Sequence, residues 1–405
     1  MRGNVTLKYV WQNKNITVKS QINNKIKIDN NTLFACLYFL YLIKNFMFYG
    51  TTIIESVGNT TSKGITLTLH MLIFFLSVWI IFFKYKITKK KMIEFFVMMG
   101  IGGIIAIKTG STSFIDFILI IFCARKIDFD YILRRILSMQ TYMTLFIVGL
   151  AFFHIIEMII DTTNKSMGKR YAMGFTHPNR VAIISFEIIC LILYCYKEKS
   201  KWKYIISLAI SLLIFSIAKS RTAFLLSLLI IIMIFTYEVV IEKIKIHNVK
   251  FLVRMGIVLA CIATFVFIWY LYKNQKLYYE STLISRIRMA IIYYGAYPVN
   301  LFGNRITSGT STRLPGTDLG YYFLDNAPLE YLLKNGILAF SYFVGIYCLS
   351  IGKLIKNRCW KLLMILICYA IYAMVETNPF SLVCNVFLLV FGYIQNKNER
   401  IKLLK

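Results

Sequence analysis

Apolar runs of membrane-spanning length recur along this chain from residue 33 to residue 394. A run of about 20 apolar residues, wound as a helix, matches the hydrocarbon thickness of a bilayer. A soluble core has no room to hide many of them. About twelve such runs are present: 33–50, 64–83, 92–107, 112–124, 136–160, 181–196, 203–218, 222–241, 251–272, 329–351, 360–375 and 379–394. The mean hydropathy of +0.65 points the same way. Backbone that crosses lipid must satisfy its own hydrogen bonds, so the expected fold is all-α, a polytopic membrane helical bundle. Residues 1–32, rich in Asn and Lys, and residues 396–405 read as tails. Residues 33–395 read as one transmembrane domain, and 273–328, between the ninth and tenth runs, as one long loop.

The formal net charge is +29, and its distribution decides what it means. Lysines crowd alternate connections: Lys84, Lys86 and Lys89 to Lys91; Arg125 and Lys126; Lys197 to Lys203; Lys243 to Lys250; Lys353 to Lys361; and both tails. The positive-inside rule makes these connections and both termini cytoplasmic. The charge is then a topology signal with attraction to anionic lipid as a by-product, and nucleic acid is not an expected partner.

The other connections differ in kind. Pro178, Pro298, Pro315, Pro328 and Pro379 all fall there, as does the long loop. Their clearest candidate cations are arginines: Arg170, Arg180, Arg221, Arg286, Arg288, Arg305 and Arg313. The planar guanidinium grips phosphate through two parallel hydrogen bonds and keeps its charge when partly desolvated. An outer arginine cluster therefore suits a lipid-linked phosphate or pyrophosphate, although single arginines also contact lipid headgroups. No cysteine lies in these connections, so no disulfide framework or cysteine metal site is implied. No nucleotide-sugar or metal motif is evident, and no cofactor is expected.

In the stretch YYFLDNAPLEYLLKNGILAF, residues 321–340, Asp325 and Asn326 stand directly before an apolar helix. Asp325 suits a general base for a hydroxyl acceptor. It equally suits a cap of the helix starting near Pro328, with Asn326 beside it. His177, in GFTHPNRVAI, is a second candidate base, or else a turn residue holding Pro178. Glu376, in VETNPF, is a turn carboxylate that could orient a sugar. Lys44, His70, Glu157 and Glu187 lie within or near apolar runs, where ionisable groups are functional candidates by default. Lys44 and Glu157 stand near outer ends and could snorkel.

Four stretches resemble the O-antigen ligase and Wzy-type polysaccharide polymerase superfamily. They are AKSRTAFLLSLLI at 218–230, SRIRMAIIYYGAYPVNLFGN at 285–304, the 321–340 stretch with Gly336, and GFTHPNRVAI at 174–183. The likeness spans roughly 170–395. It implies glycosyl transfer on the outer membrane face, from a sugar chain on undecaprenyl pyrophosphate to an acceptor hydroxyl, without a metal. It implies an outer cavity roofed by the long loop. Arg221 and Arg286 match the family's functional arginines. Arg288, Arg180, Arg305, Arg313, Asn326 and Glu376 are the expected substrate-binding residues. Asp325 stands where ligases carry a catalytic histidine, which favours polymerase over ligase. The resemblance further implies a bacterial cytoplasmic membrane and, as partners, a flippase and a chain-length regulator. A lipid-linked oligosaccharide flippase or other transporter is the rival class, although no internal repeat is visible. A non-catalytic scaffold leaves the arginines unexplained.

Overall fold

The computed structural model describes residues 29–48, 50–85, 87–162, 168–196, 200–239, 282–306 and 324–395, without the side chains of 55, 56, 59, 239 and 282–288. The expected ninth span 251–272, both tails up to residue 28 and from 396, Arg313 and much of the 273–328 loop lie outside the described residues. So do the side chains of Arg286 and Arg288.

The described chain is mostly helical. Helix α1 (Asn30–Leu42) continues as a π-helical stretch, Ile43–Phe48. A short α2 (Ile53–Val57) leads into α3 (Asn59–Trp79), followed by α4 (Lys89–Thr109), α5 (Ser113–Cys123) and α6 (Phe129–Phe152). A two-stranded hairpin, β1 (Ile160–Asp161) with β2 (Arg170–Tyr171), precedes α7 (Pro178–Cys195), α8 (Trp202–Ala218) and α9 (Arg221–Val239). Then come α10 (Thr282–Ala296), α11 (Ala327–Lys356), α12 (Trp360–Ala373) and α13 (Val390–Tyr393). Among the described residues, seven helical segments are long and apolar enough to cross a membrane. Large apolar side chains stay exposed on α3, on its π-helical continuation Ile80–Lys84 and on α4, including Phe75, Phe83, Ile93 and Ile107, as a lipid-facing surface requires.

Two expected spans take another form. Helix α5 has 11 residues and is about 16 Å long at 1.5 Å per residue, too short for a hydrocarbon core of roughly 30 Å. It is nonetheless buried from Phe117 to Cys123 at the centre of the bundle. The expected twelfth span, 379–394, holds only single turns: Asn378–Phe380, Val386–Leu389 and α13. Its backbone finds partners on neighbouring helices. Tyr38 donates its hydroxyl to the Leu382 carbonyl at 2.6 Å, and Gln140 donates to the Val383 carbonyl at 3.3 Å. The Val386 N–H donates to Glu187 at 2.5 Å, and Gln140 donates to the same carboxylate at 2.9 Å. Irregular backbone at membrane depth is tolerated only when protein surrounds it. Glu187, a functional candidate by position, thus serves to hold this segment.

Lys44 does not snorkel. It is 4% exposed, and its ammonium lies 2.7 Å from Asp116 of α5 and 2.8 Å from His70 Nδ1 of α3. Hydropathy alone conceals this contact, because the partners sit on three separate apolar runs. Glu157 is exposed beyond the end of α6.

Helix α11 is broken at Gly336, whose φ of 82° and ψ of 173° suit glycine alone. The segment 298–304 fills the break. Ile337 N–H donates to the Asn300 carbonyl at 2.9 Å, and Asn304 N–H donates to the Leu333 carbonyl at 2.8 Å. A Cβ on Gly336 would collide with the Leu301 carbonyl, and one on Gly303 with the Lys334 carbonyl. Two of the quoted motifs, the 298–304 turn and the Gly336 helix, are therefore halves of one clamp. Gly336→Ala and Gly303→Ala are each expected to cost at least about 1–3 kcal/mol, read as a lower thermal midpoint of the detergent-solubilised protein. An unchanged midpoint in both would mean that the clamp is not a structural constraint.

Candidate functional site

A cavity of about 850 Å³ opens at one end of the bundle. Its walls come from chain segments far apart in sequence. They are the 176–180 turn entering α7, residues 325–335 opening α11, the 376–382 segment after α12, Tyr41 of α1, Ser113 and Phe117 of α5, and Met289 of α10. Among the described residues, the other end of the bundle carries Lys91, Arg125 and Lys353. There Arg125 and Lys91 meet Gln395 at 2.7 and 3.0 Å, and Lys353 donates to the Ile394 carbonyl at 2.6 Å. Helix α11 joins the two ends, running from Ala327 in the cavity wall to Lys353 and Lys356.

The 176–180 turn is pinned before it reaches the cavity. Thr176 N–H donates to the Gly50 carbonyl and Thr52 N–H to the Gly174 carbonyl, both at 3.1 Å. His177 is the N-cap of α7, and Pro178 follows at the first helical position. The Asn179 N–H donates to His177 Nδ1 at 3.1 Å. That bond fixes the tautomer: Nδ1 accepts, so the neutral ring carries its proton on Nε2. Burial and the nearby Arg170 hold the imidazole below its usual range, so it is neutral at pH 7. In this state His177 offers a hydrogen-bond donor rather than a proton acceptor.

Asn179 links the turn to two other segments. Its amide nitrogen donates to Glu376 at 3.0 Å, and its oxygen accepts from Arg170 at 2.5 Å. Arg170 also donates to Asp161 and to the Ala218 carbonyl, each at 3.0 Å. Arg170 is thereby committed to tying the hairpin, the α8–α9 turn and the cavity wall together. Arg180, one residue beyond Asn179, lines the cavity half-buried. Its backbone N–H donates to the His177 carbonyl at 2.9 Å, and among the described residues its guanidinium forms no hydrogen bond or ion pair. Its charge remains directed at the cavity, beside the N-terminus of α7, whose dipole also favours an anion.

At the opening of α11 the two candidate roles separate. Asn326, not Asp325, is the N-cap: its side chain accepts the Leu329 N–H at 2.9 Å and its nitrogen donates to the Met374 carbonyl at 3.3 Å. Asn326 is buried away from the cavity lining, whereas Asp325 lines the cavity half-buried. The capping role of this pair is thus discharged by the asparagine.

Of the expected site residues, the cavity brings together His177, Arg180, Asp325 and Glu376. Arg221, the first residue of α9, is exposed and outside the lining, and so is Arg305. Arg286 stands on α10 three positions before the cavity-lining Met289, and its side chain lies outside the described residues. The cavity also contains Glu330, Tyr331, Lys334 and Asn335, which motif reading passed over. Their spacing of three and four along an otherwise apolar helix is the signal that could have found them.

Comparisons of the chain with models of known protein families, with characterised proteins and with solved structures find no match.

Proposed function

We propose that this protein polymerises lipid-linked oligosaccharide repeat units at the outer face of a bacterial cytoplasmic membrane. The growing chain moves from undecaprenyl pyrophosphate to a hydroxyl of an acceptor repeat. The observation that carries this reading is the convergence of Asp325, His177 and Arg180, whose guanidinium has no partner among the described residues, in one cavity at the end of the bundle away from Arg125, Lys91 and Lys353. The fold belongs to the same proposal: a polytopic bundle with both termini inside and the 273–328 stretch over the cavity.

The chemistry follows from those groups. Asp325 accepts the proton of the attacking hydroxyl. The hydroxyl oxygen bonds to the donor's anomeric carbon as the bond from that carbon to the pyrophosphate oxygen breaks. Negative charge grows on the leaving pyrophosphate, and fixed cations and donors aimed at it lower the barrier. Arg180 and the Nε2–H of His177 fill that role, with Arg221 and Arg286 as the further arginines that the family likeness contributes. Glu376, held by Asn179, faces the sugar.

Deletion of the gene and sizing of the surface glycan tests the reading. A polymerase deletion leaves single repeats on the surface. Full-length chains retained on the lipid carrier would instead mark a ligase, and repeats trapped inside the cell a flippase. Orientation has its own check. In a background without native cysteines, Thr176→Cys is expected to react with an impermeant thiol reagent in intact cells, and Thr88→Cys only after permeabilisation. The opposite pattern would put the cavity inside and remove the outer-face mechanism.

A further inference from the structure

We propose that the face of α11 ahead of its break is a binding track for an uncharged part of the acceptor, more than one sugar ring long. The identity of the ligand as an acceptor oligosaccharide rests on the polymerase reading. The track itself rests on geometry.

Glu330, Tyr331, Lys334 and Asn335 follow the helical period, so one face of α11 turns all of them to the cavity. From Ala327 to Asn335 the face is about 12 Å long at 1.5 Å per residue. Two of its polar atoms are shielded from solvent and have no hydrogen-bond partner among the described residues: the Tyr331 hydroxyl and Asn335 Oδ1. Asn335 is only 3% exposed. Shielded polar atoms are normally paired, and a ligand rich in hydroxyls pairs both kinds, donating to the amide oxygen and accepting from the phenol. The clamp at Gly336 fixes Asn335 from behind, so its position does not depend on the ligand.

Charge and ring surfaces narrow the ligand class. Glu330 and Lys334 lie 3.9 Å apart and offset each other, so these two side chains together add no net charge to the face. The Tyr331 and Phe380 rings, 6.2 Å apart and at 77°, form an aromatic corner suited to the C–H faces of pyranose rings. Asp325 stands at the start of the track. The hydroxyl that reacts sits there, and the rings behind it extend toward Asn335. The track thus reads the sugars beyond the one being linked.

The test uses the purified full-length chain in detergent and, as probe, the repeat-unit oligosaccharide freed from its pyrophosphate lipid by mild acid. Tyr331→Phe keeps the ring contact with Phe343, whose centroid is 4.9 Å away, and removes only the hydroxyl. Asn335→Ala is the second variant, and a thermal melt verifies that each is folded. Each is expected to bind the oligosaccharide about threefold to tenfold more weakly. Affinity should not change between about 50 and 500 mM salt, because screening acts on charges. A single-ring glycoside of the reacting sugar should bind wild type and variants alike. No binding by wild type, equal binding by both folded variants, or a steep salt dependence would each overturn the track. An intact binding pattern in a chain that makes no polymer would leave the track standing and overturn the polymerase reading instead.

Discussion

Asp325→Asn is expected to slow polymer formation by about 10²–10⁴-fold, the usual contribution of a positioned general base, and to leave the protein folded. The substitution keeps shape and size. The helix cap is unaffected, because Asn326 accepts the Leu329 N–H. Lipid-linked single repeats should accumulate. His177→Asn is the matched comparison. Asparagine is a good N-cap, so it preserves the start of α7 while deleting the ring, and its loss should not exceed the about 10²–10³-fold of one lost donor to the pyrophosphate. Near-normal polymer from Asp325→Asn would remove this carboxylate from the mechanism. Collapse in the His177 variant alone would move proton transfer to the imidazole.

Arg180→Ala should cost about 10²–10³-fold, the range for removing one fixed group that stabilises charge developing in a transition state. Arg180→Lys should restore part of that loss, since an ammonium supplies the charge but not the paired hydrogen bonds to phosphate. The substitution should be mild for the fold, because among the described residues the guanidinium holds no partner. Arg170→Ala, by contrast, removes bonds to Asp161, Asn179 and the Ala218 carbonyl and should lower both expression and activity. Arg221→Ala is the informative comparison. A loss equal to that of Arg180→Ala would bring this exposed residue to the donor during turnover, and near-normal polymer would confine the phosphate site to the cavity. Full polymer from Arg180→Ala would remove Arg180 from that site.

The membrane-bundle class was readable from hydropathy because long apolar runs have few physical alternatives. Helix bounds match the apolar runs where the two coincide, as in 181–196 and 203–218. Reading failed where burial replaces lipid as the apolar surrounding. Helix α5 and the 379–394 segment look like spans because they are apolar, yet protein surrounds them on all sides and relieves them of spanning length or helical form. The partners that make this possible, Glu187, Gln140 and Tyr38, come from other helices, and no local pattern announces them. The same holds for Lys44, Asp116 and His70.

The site was legible in part for a similar reason. His177, Arg180, Asp325 and Glu376 sit at turns, where polar residues stand out against apolar spans. The face of α11 was missed because a short polar stripe on an apolar helix looks like ordinary variation until Gly336 is seen to end it. Which arginine is uncommitted could not be read locally either. Arg170 and Arg180 look alike in sequence, and only the fold ties one down and leaves the other to the cavity.

The central claim is polymerisation by this chain alone, and the most direct measurement is reconstitution. The purified protein would be incubated with undecaprenyl-pyrophosphate-linked single repeats in detergent or liposomes, without metal or nucleotide, and the products sized. The account predicts a ladder of lipid-linked chains differing by whole repeats, with one undecaprenyl pyrophosphate released per bond formed. Single repeats that stay unlinked with the wild-type protein, under conditions where it remains folded and binds the lipid-linked repeat, would contradict it.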